Sequence, residues 1–131
     1  MEADFLMKFP DEEYDVIVDA IFGVGLKREV AGRHREVIER LNQMEALKVA
    51  VDVPSGVDAS AGQILGIAFE ADITVTFGLP KVGLLLYPGA DVSGEVIVKE
   101  IGFPNKAVEE IAPQMVSFTT DDLELLPERK A

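Results

Sequence analysis

The chain of 131 residues is the size of one domain, and 12 lysines and arginines against 24 aspartates and glutamates give it a net charge of −12. This acidity argues against nucleic acid or an anionic membrane as the main partner, because both attract basic surfaces. The absence of cysteine excludes disulfide scaffolds and thiol nucleophiles. No segment approaches the ~18 apolar residues of a membrane helix, and the acidic start is unlike a signal peptide. We therefore expect a cytoplasmic globular domain.

Nearly continuous apolar runs predict the strands, because strands covered on both faces of a parallel sheet show no alternation. Four such runs occur, at residues 14–22, 48–53, 71–77 and 95–101. Between the first two, apolar residues recur at spacings of three and four from Arg33 onward, which predicts a helix. A short helix capped by Asn105 is predicted to run to Ile111, with Glu109 and Glu110 exposed.

The order strand, helix, strand forms a βαβ unit, so the predicted class is α/β with a mostly parallel sheet. A doubly wound domain normally begins with a strand and a glycine-rich phosphate loop. This sequence opens with neither, so we expect a sheet that lacks its N-terminal strands. Residues 1–116 are assigned to this domain, and residues 117–131 to a linker or the start of a following domain.

Three polar residues lie at or near strand ends, just before a glycine or proline: Asp19, Asp52 and Thr76. Ligands of open α/β sheets bind outside the carboxyl ends of the strands, so we expect these groups to converge there. Asp19 interrupts an apolar run, where an ionised carboxylate is costly unless hydrogen bonds, a cation or a metal compensate it. The alternative is that Asp19 only accepts backbone N–H bonds from the next turn.

Asp52 has the same character and is followed by a Pro-Ser-Gly turn that fixes the oxygen of Ser55. Carboxylate, hydroxyl and carbonyl oxygens around one point suit a hard cation rather than zinc or copper. The alternative is that Asp52 stabilises its own turn as an Asx motif.

A basic stretch follows the turn Gly23-Val24-Gly25. Backbone N–H groups and a nearby guanidinium would suit a phosphate or pyrophosphate, although a solvated helix face with ion pairs explains Arg35 and Arg40 equally well. Lys81 follows a strand end and is a candidate for holding a negative group or for proton transfer; the alternative is a solvated lysine. His34, the single histidine, is expected to be exposed rather than catalytic.

Four blocks together resemble the NAD(P)H-hydrate epimerase family, the YjeF N-terminal domain. They are VDAIFGVGLKREVAG, VAVDVPSGVDASAGQILG, ADITVTFGLPKVGLLLYPGA and GEVIVKEIGFP, and the resemblance covers about residues 14–104. It implies a Rossmann-like, three-layer α/β fold. It also implies an isomerase that interconverts the R and S forms of hydrated NADH and NADPH, so that an S-specific dehydratase can restore the coenzyme.

The resemblance also implies the site. Asp19 and Ser55 match potassium ligands, and potassium is the implied cofactor. Asp52 matches a substrate-binding position and a plausible acid or base, and Lys81 matches a recurring lysine that we carry as a second catalytic candidate. The remaining substrate-binding positions form one loop: Gly23, Val24, Gly25, Leu26, Lys27, Arg28 and Glu29.

The family's upstream half carries a glycine-rich, asparagine-bearing segment that this chain lacks, so we expect the chain to hold the C-terminal portion of an epimerase domain. Residues 118–130 are similar to the opening of the ADP/ATP-dependent dehydratase domain that follows the epimerase in bifunctional enzymes. The expected partners are a small-molecule substrate and further copies of the chain, because an unpaired first strand invites pairing. The alternative function is a non-catalytic nucleotide-binding or scaffolding relative of the same fold.

Overall fold

The computed structural model describes residues 13–110, which form an α/β fold. The strands are β1 (Val16–Asp19), β2 (Leu47–Val51), β3 (Ile73–Phe77) and β4 (Glu95–Lys99). They form one sheet in the order β1-β2-β3-β4, and every neighbouring pair is parallel. The helices are α1 (Gly32–Gln43), α2 (Gly89–Val92) and α3 (Asn105–Glu110), with a 3-10 turn at Val82–Leu84. The predicted α/β class with a parallel sheet is confirmed.

The strands are shorter than the apolar runs that predicted them. β2 ends at Val51 rather than at residue 53, because Asp52 takes a left-handed φ of 68° and Pro54 has no N–H for a sheet ladder. α3 is described as far as Glu110, and the predicted end at residue 111 and the assignment of residues 117–131 lie outside the described residues. In the described part of the chain, no helix is long and apolar enough to cross a membrane.

One face of the sheet carries the main core. Ile17 of β1 and Ala50 of β2 pack with Ile38 of α1, which is fully buried, and with Phe69 from the loop before β3. A second buried cluster contains Val53, Val57, Ala68 and Leu84. Because Val53 and Val57 belong to the segment after β2, their burial in this cluster packs that segment against the rest of the fold.

The opposite face of the sheet is also apolar, but the side chains that β1 and the start of β2 carry on this face are exposed. Successive side chains of a strand point to opposite faces, so Val16 and Val18 point away from buried Ile17. Val16 is 49% exposed, Val18 62% and the neighbouring Leu47 44%. Among the described residues β1 is an edge strand, which agrees with the expectation of an unpaired first strand.

Candidate functional site

The parallel sheet brings the ends of three strands to one edge. Asp19 is the last residue of β1 and lies opposite Ala50 of β2 in the register. Asp52 follows β2 directly, and its backbone N–H donates to the carbonyl oxygen of Val75 in β3, 2.7 Å away. The polar groups predicted to converge here therefore lie on adjacent strands of the same edge.

Asp19 and Ser55 are in direct contact. The Ser55 hydroxyl donates to Asp19 Oδ1 at 2.7 Å, and the Ser55 backbone N–H donates to Asp19 Oδ2 at 2.7 Å. The backbone N–H of Ile21 donates to Oδ1 at 3.2 Å, and that of Phe22 donates to Ser55 Oγ at 2.9 Å. The structure thus joins the end of β1, the turn after it and the Pro-Ser-Gly turn into one buried polar cluster, which we name the Asp19 cluster.

Backbone contacts hold Ser55 in place within this cluster. Its carbonyl accepts from the N–H of Phe69 at 2.8 Å, and the carbonyl of Gly56 accepts from Leu65 at 2.7 Å. Gly56 has a φ of 93°, and a Cβ there would collide with the carbonyl oxygen of Ile67. Only glycine permits both this left-handed backbone and so close an approach, so the Ser-Gly pair sets the position of the hydroxyl.

The electrostatics of Asp19 are those of a buried carboxylate without a cation. Its exposed fraction is 1%, and its hydrogen-bond donors within residues 13–110 are the neutral groups of Ser55 and Ile21. Burial raises the pKa of Asp19, and these hydrogen bonds offset the rise only in part. A positive ion at this point would compensate the buried charge.

The chemistry of the Asp19 cluster fits a hard monovalent cation such as potassium. Its polar groups are the carboxylate of Asp19, the hydroxyl of Ser55 and the carbonyl oxygen of Phe22, which lies 3.4 Å from Ser55 Oγ. Hard cations take such oxygen ligands, and carbonyl oxygens suit potassium. Asp19 is the one charged residue among these three. No group of three or more His, Cys, Asp or Glu residues that could hold a metal occurs in the described part of the chain.

Asp52 belongs to a second cluster beside the first, which we name the Asp52 cluster. Its Oδ1 accepts from Lys81 Nζ at 2.5 Å, from Thr76 Oγ1 at 3.0 Å and from the backbone N–H of Phe77 at 3.3 Å. The carboxylate thus reaches across to the end of β3. The structure shows these contacts rather than the Asx turn that was the alternative for Asp52.

The pKa of Asp52 is shifted in the opposite direction to that of Asp19. Partial burial would raise the pKa of Asp52, but the hydrogen bonds from Lys81, Thr76 and Phe77 outweigh it and hold the pKa below its ordinary value of 3.8. The Asp52 side chain is 25% exposed and that of Lys81 23%, so the pair lies at the surface of the edge. Asp52 is therefore an ionised, accessible carboxylate at neutral pH.

The glycine loop after β1 forms an open wall next to the Asp19 cluster. A groove of about 460 Å³ is lined by the residues after β1, including Gly23, Gly25, Lys27 and Arg28. Phe22, which contacts Ser55, lines the same groove. Two basic residues, Lys27 and Arg28, line this groove, so it can accept an anionic ligand.

Two further residues that the sequence analysis considered, His34 and Arg35, lie outside these clusters. His34 is exposed, as expected, and its ring lies 5.0 Å from that of Phe22. Arg35 forms an ion pair with Glu39 at 2.9 Å, as the alternative of a solvated helix face predicted. The sequence did not predict the contact of Asp52 with Thr76 and the amide of Phe77, although the position of Thr76 at a strand end was the available signal.

The polar clusters and the glycine loop lie at the carboxyl edge of a parallel α/β sheet, which is where ligands of open α/β sheets bind. Residues 2–83 match the family described as YjeF-related protein N-terminus. The chain belongs to this family.

Named relatives agree with this membership. The chain is 46% identical over 117 residues to the bifunctional NAD(P)H-hydrate repair enzyme Nnr of Thermofilum pendens, covering 89% of this chain and 22% of that protein. It is 46% identical over 95 residues to the NAD(P)H-hydrate epimerase of Weissella koreensis, covering 72% of this chain and 43% of that protein. It is 44% identical over 108 residues to the NAD(P)H-hydrate epimerase of Leuconostoc citreum, covering 82% of this chain and 46% of that protein. The chain therefore spans less than half the length of each of these relatives.

Proposed function

We propose that this chain is part of an NAD(P)H-hydrate epimerase, an isomerase that interconverts the R and S hydrates of NADH and NADPH. The observation that carries the proposal is the adjacency of the Asp19 cluster, the Asp52 cluster and the glycine loop at one edge of the sheet. The relatives that are named epimerases support it.

Substrate binding is assigned to the glycine loop and to Asp52. The exposed N–H groups of the loop and the side chains of Lys27 and Arg28 suit the pyrophosphate of a dinucleotide. The loop comprises Gly23, Val24, Gly25, Leu26, Lys27, Arg28 and Glu29. With the pyrophosphate along the groove, the hydrated ring lies toward the strand ends, where Asp52 is accessible.

The chemical step is assigned to Asp52. Asp52 rests as a carboxylate and relays a proton from solvent to the hydroxyl at C6; the C6–O bond breaks, and water leaves as the ring nitrogen forms a C=N bond. The carboxylate then takes a proton from a water that adds to either face of the resulting cation, which scrambles the stereocentre, and returns that proton to solvent. One carboxyl group serves both directions, so the task of the protein is orientation and proton exchange.

Potassium is the proposed cofactor. When bound it would supply a positive charge that compensates Asp19, and Asp19, Ser55 and the carbonyl of Phe22 would hold it. Phe22 also lines the substrate groove, so a fixed Asp19 cluster fixes the start of the loop. Lys81 contacts Asp52 rather than the Asp19 cluster, so we assign it to the Asp52 cluster.

The test uses the full-length polypeptide that carries residues 1–131, because the chain spans less than half of its relatives. Purified S-hydrated NADPH is incubated with the protein in potassium or in tetramethylammonium buffer, and appearance of the R form is followed by chromatography. We expect interconversion faster than the spontaneous reaction, and faster in potassium. Binding of the hydrate without interconversion would contradict the proposal and favour the non-catalytic, nucleotide-binding alternative.

We also propose that the chain associates with copies of itself and acts in the cytoplasm, and that residues 117–131 are a linker or the start of a following dehydratase domain. Val16 and Val18 of the edge strand β1 are largely exposed, and an open apolar edge favours pairing. Light scattering of residues 1–131 tests the self-association: we expect a dimer or larger species, and a monodisperse monomer would contradict it.

A further inference from the structure

The two oxygens of Asp52 have different surroundings. All three hydrogen bonds that its carboxylate receives from the described residues end on Oδ1, from Lys81, Thr76 and the N–H of Phe77. Oδ2 receives none from these residues. A carboxylate oxygen with three donors has no good direction left for a fourth, so Oδ2 is the oxygen through which Asp52 can meet a ligand.

The ammonium group of Lys81 is equally committed. It donates to Asp52 Oδ1 at 2.5 Å, to the carbonyl of Phe77 at 3.0 Å and to Thr76 Oγ1 at 3.1 Å. An ammonium has three protons, and these three acceptors use all of them. Lys81 in this arrangement holds its neighbours in place and has no proton directed at a ligand.

Thr76 connects the other two groups. Its hydroxyl proton goes to Asp52 Oδ1 at 3.0 Å, while its oxygen accepts from Lys81. The side chain is fully buried, so water does not compete for either bond. Loss of this hydroxyl would leave Oδ1 with two donors and Lys81 with an unused proton, which frees the carboxylate to rotate.

The backbone of Asp52 is held at the same place. Its φ of 68° is uncommon for a residue other than glycine, although aspartate adopts this region more readily than most. Its N–H donates to the carbonyl of Val75, and its Oδ1 accepts from Phe77, so β3 holds both the backbone and the side chain. Such strained positions persist where surrounding contacts over-determine them, often at functional sites.

We propose that Thr76 and Lys81 are positioning residues that occupy Oδ1 of Asp52 and so leave Oδ2 as its one reacting oxygen. This inference rests on the proposed function, because it assigns the geometry of the same site. It predicts that the exchange of the proton between Asp52 and water occurs at Oδ2 alone, and that orientation of the carboxylate limits turnover more than it limits substrate binding.

The chain offers a matched control on the same strand. Thr74 is also fully buried, and its hydroxyl donates to the carbonyl of Ser93 at 2.7 Å. Thr74→Val and Thr76→Val thus remove the same atom from the same face of β3, but only the second touches Asp52. Thr76→Ser keeps the hydroxyl and tests rescue.

The experiment measures kcat and KM for interconversion of the NADPH hydrates in the full-length polypeptide, with thermal unfolding of each variant as a check on folding. We expect Thr76→Val to lower kcat roughly tenfold to a hundredfold with KM within about twofold. Thr76→Ser should recover most of the loss, and Thr74→Val should leave kcat within about twofold. Equal losses in Thr76→Val and Thr74→Val, or an unchanged kcat in Thr76→Val, would overturn the proposal.

A second readout does not depend on activity. The carboxyl carbon of Asp52 is titrated by NMR in the wild type, Thr76→Val, Lys81→Met and Thr74→Val. Lys81 is the charged group that contacts Asp52 among the described residues. We expect the midpoint to rise in Thr76→Val, to rise further in Lys81→Met and to stay unchanged in Thr74→Val. If the wild type proves inactive the proposed function fails, and an unchanged midpoint in Thr76→Val would separately overturn the positioning role.

Discussion

Asp19 and Asp52 lie at the ends of adjacent strands, yet the protein surrounds them in opposite ways. Asp19 is buried, meets only neutral donors within the described residues and has a raised pKa. Asp52 is partly exposed, meets the ammonium of Lys81 and has a lowered pKa. The difference shows that a position at a strand end does not define a role. What defines it is whether the protein itself supplies the compensating positive charge.

The two clusters therefore divide the work under the proposed function. The ammonium of Lys81 compensates the charge of Asp52, and Oδ2 of Asp52 accepts no hydrogen bond from the described residues. Asp52 therefore suits proton exchange with a ligand. Asp19 meets no cationic group among the described residues and contacts the hydroxyl of Ser55, which lies 3.4 Å from the carbonyl oxygen of Phe22, so it suits an ion that is taken from solution. Changing one carboxylate or its partner therefore tests whether the other carboxylate is affected.

The largest effect is expected for Asp52→Asn. The amide cannot exchange a proton with water, so kcat for epimerisation should fall by about a hundredfold or more, while stabilisation by potassium should remain. Asp72→Asn is the control, because Asp72 is an exposed aspartate whose Oδ2 accepts from the N–H of Lys48 at 2.8 Å. A wild-type kcat in Asp52→Asn would remove Asp52 from the mechanism.

The next effect concerns the response to potassium. An ion that binds only the folded state stabilises it by about 2.7 kcal/mol at one hundred times its Kd, so the melting temperature of the wild type should rise by several degrees when potassium replaces tetramethylammonium. Asp19→Asn should abolish this rise, whereas Asp52→Asn should keep it. An equal rise in both variants would show that neither carboxylate holds the ion.

Ser55→Ala tests how far Asp19 depends on neutral donors. The change removes a donor to Asp19 Oδ1 and the acceptor of the N–H of Phe22. Buried groups left unpaired cost about 1–3 kcal/mol, and urea unfolding should show a loss of this size. Ser93→Ala is the control, because the hydroxyl of Ser93 is also fully buried and donates to the carbonyl of Gly89. Its loss should be smaller, since it leaves only a neutral carbonyl.

The smallest effect is the pH dependence of stability, and its sign differs between the two carboxylates. Asp52 has a lowered pKa, so its stabilisation is present above the ordinary carboxyl pKa of 3.8 and is lost as the pH falls through its lower folded value. Asp19 has a raised pKa, so its contribution is present in acid and is lost as the pH rises through its folded value.

Lys81→Met separates the pH dependence of stability that comes from Asp52 from that of Asp19. It should remove the Asp52 contribution, which we expect to be below about 1 kcal/mol because the pair is partly solvated, and leave the Asp19 contribution in place. Urea unfolding between pH 3 and pH 7 measures both slopes. Loss of stability on acidification that is unchanged in Lys81→Met would contradict the assignment to Asp52.

The sequence predicted the position of the site better than its contacts. The apolar runs predict parallel strands, and the rule that ligands bind at strand ends then places Asp19, Asp52 and Thr76 at one edge. The placement of these three residues depends only on periodicity and on the turn residues glycine and proline. The pairing of Asp19 with Ser55 was implied by the family resemblance, and the structure shows the two side chains in contact.

The direction of Asp52 could not be predicted, for a local reason. Its left-handed φ turns the carboxylate from the Asp19 cluster toward β3, and many residue types precede proline-containing turns without adopting this conformation. Lys81, 29 positions further along, meets Asp52 only because the loop after β3 folds back over the edge. Contacts set by one unusual dihedral and by the course of the loop after β3 leave no periodic signal in a sequence.

The most direct test of the account is a titration of the aspartate carboxyl carbons by NMR, in the full-length polypeptide, with potassium or with tetramethylammonium as the only monovalent cation. We expect potassium to lower the apparent pKa of Asp19, because the ion and the proton compete for the same oxygens, and to leave that of Asp52 unchanged. An unchanged Asp19, or an equal shift of both carboxylates, would contradict the claim that only Asp19 takes its positive charge from solution.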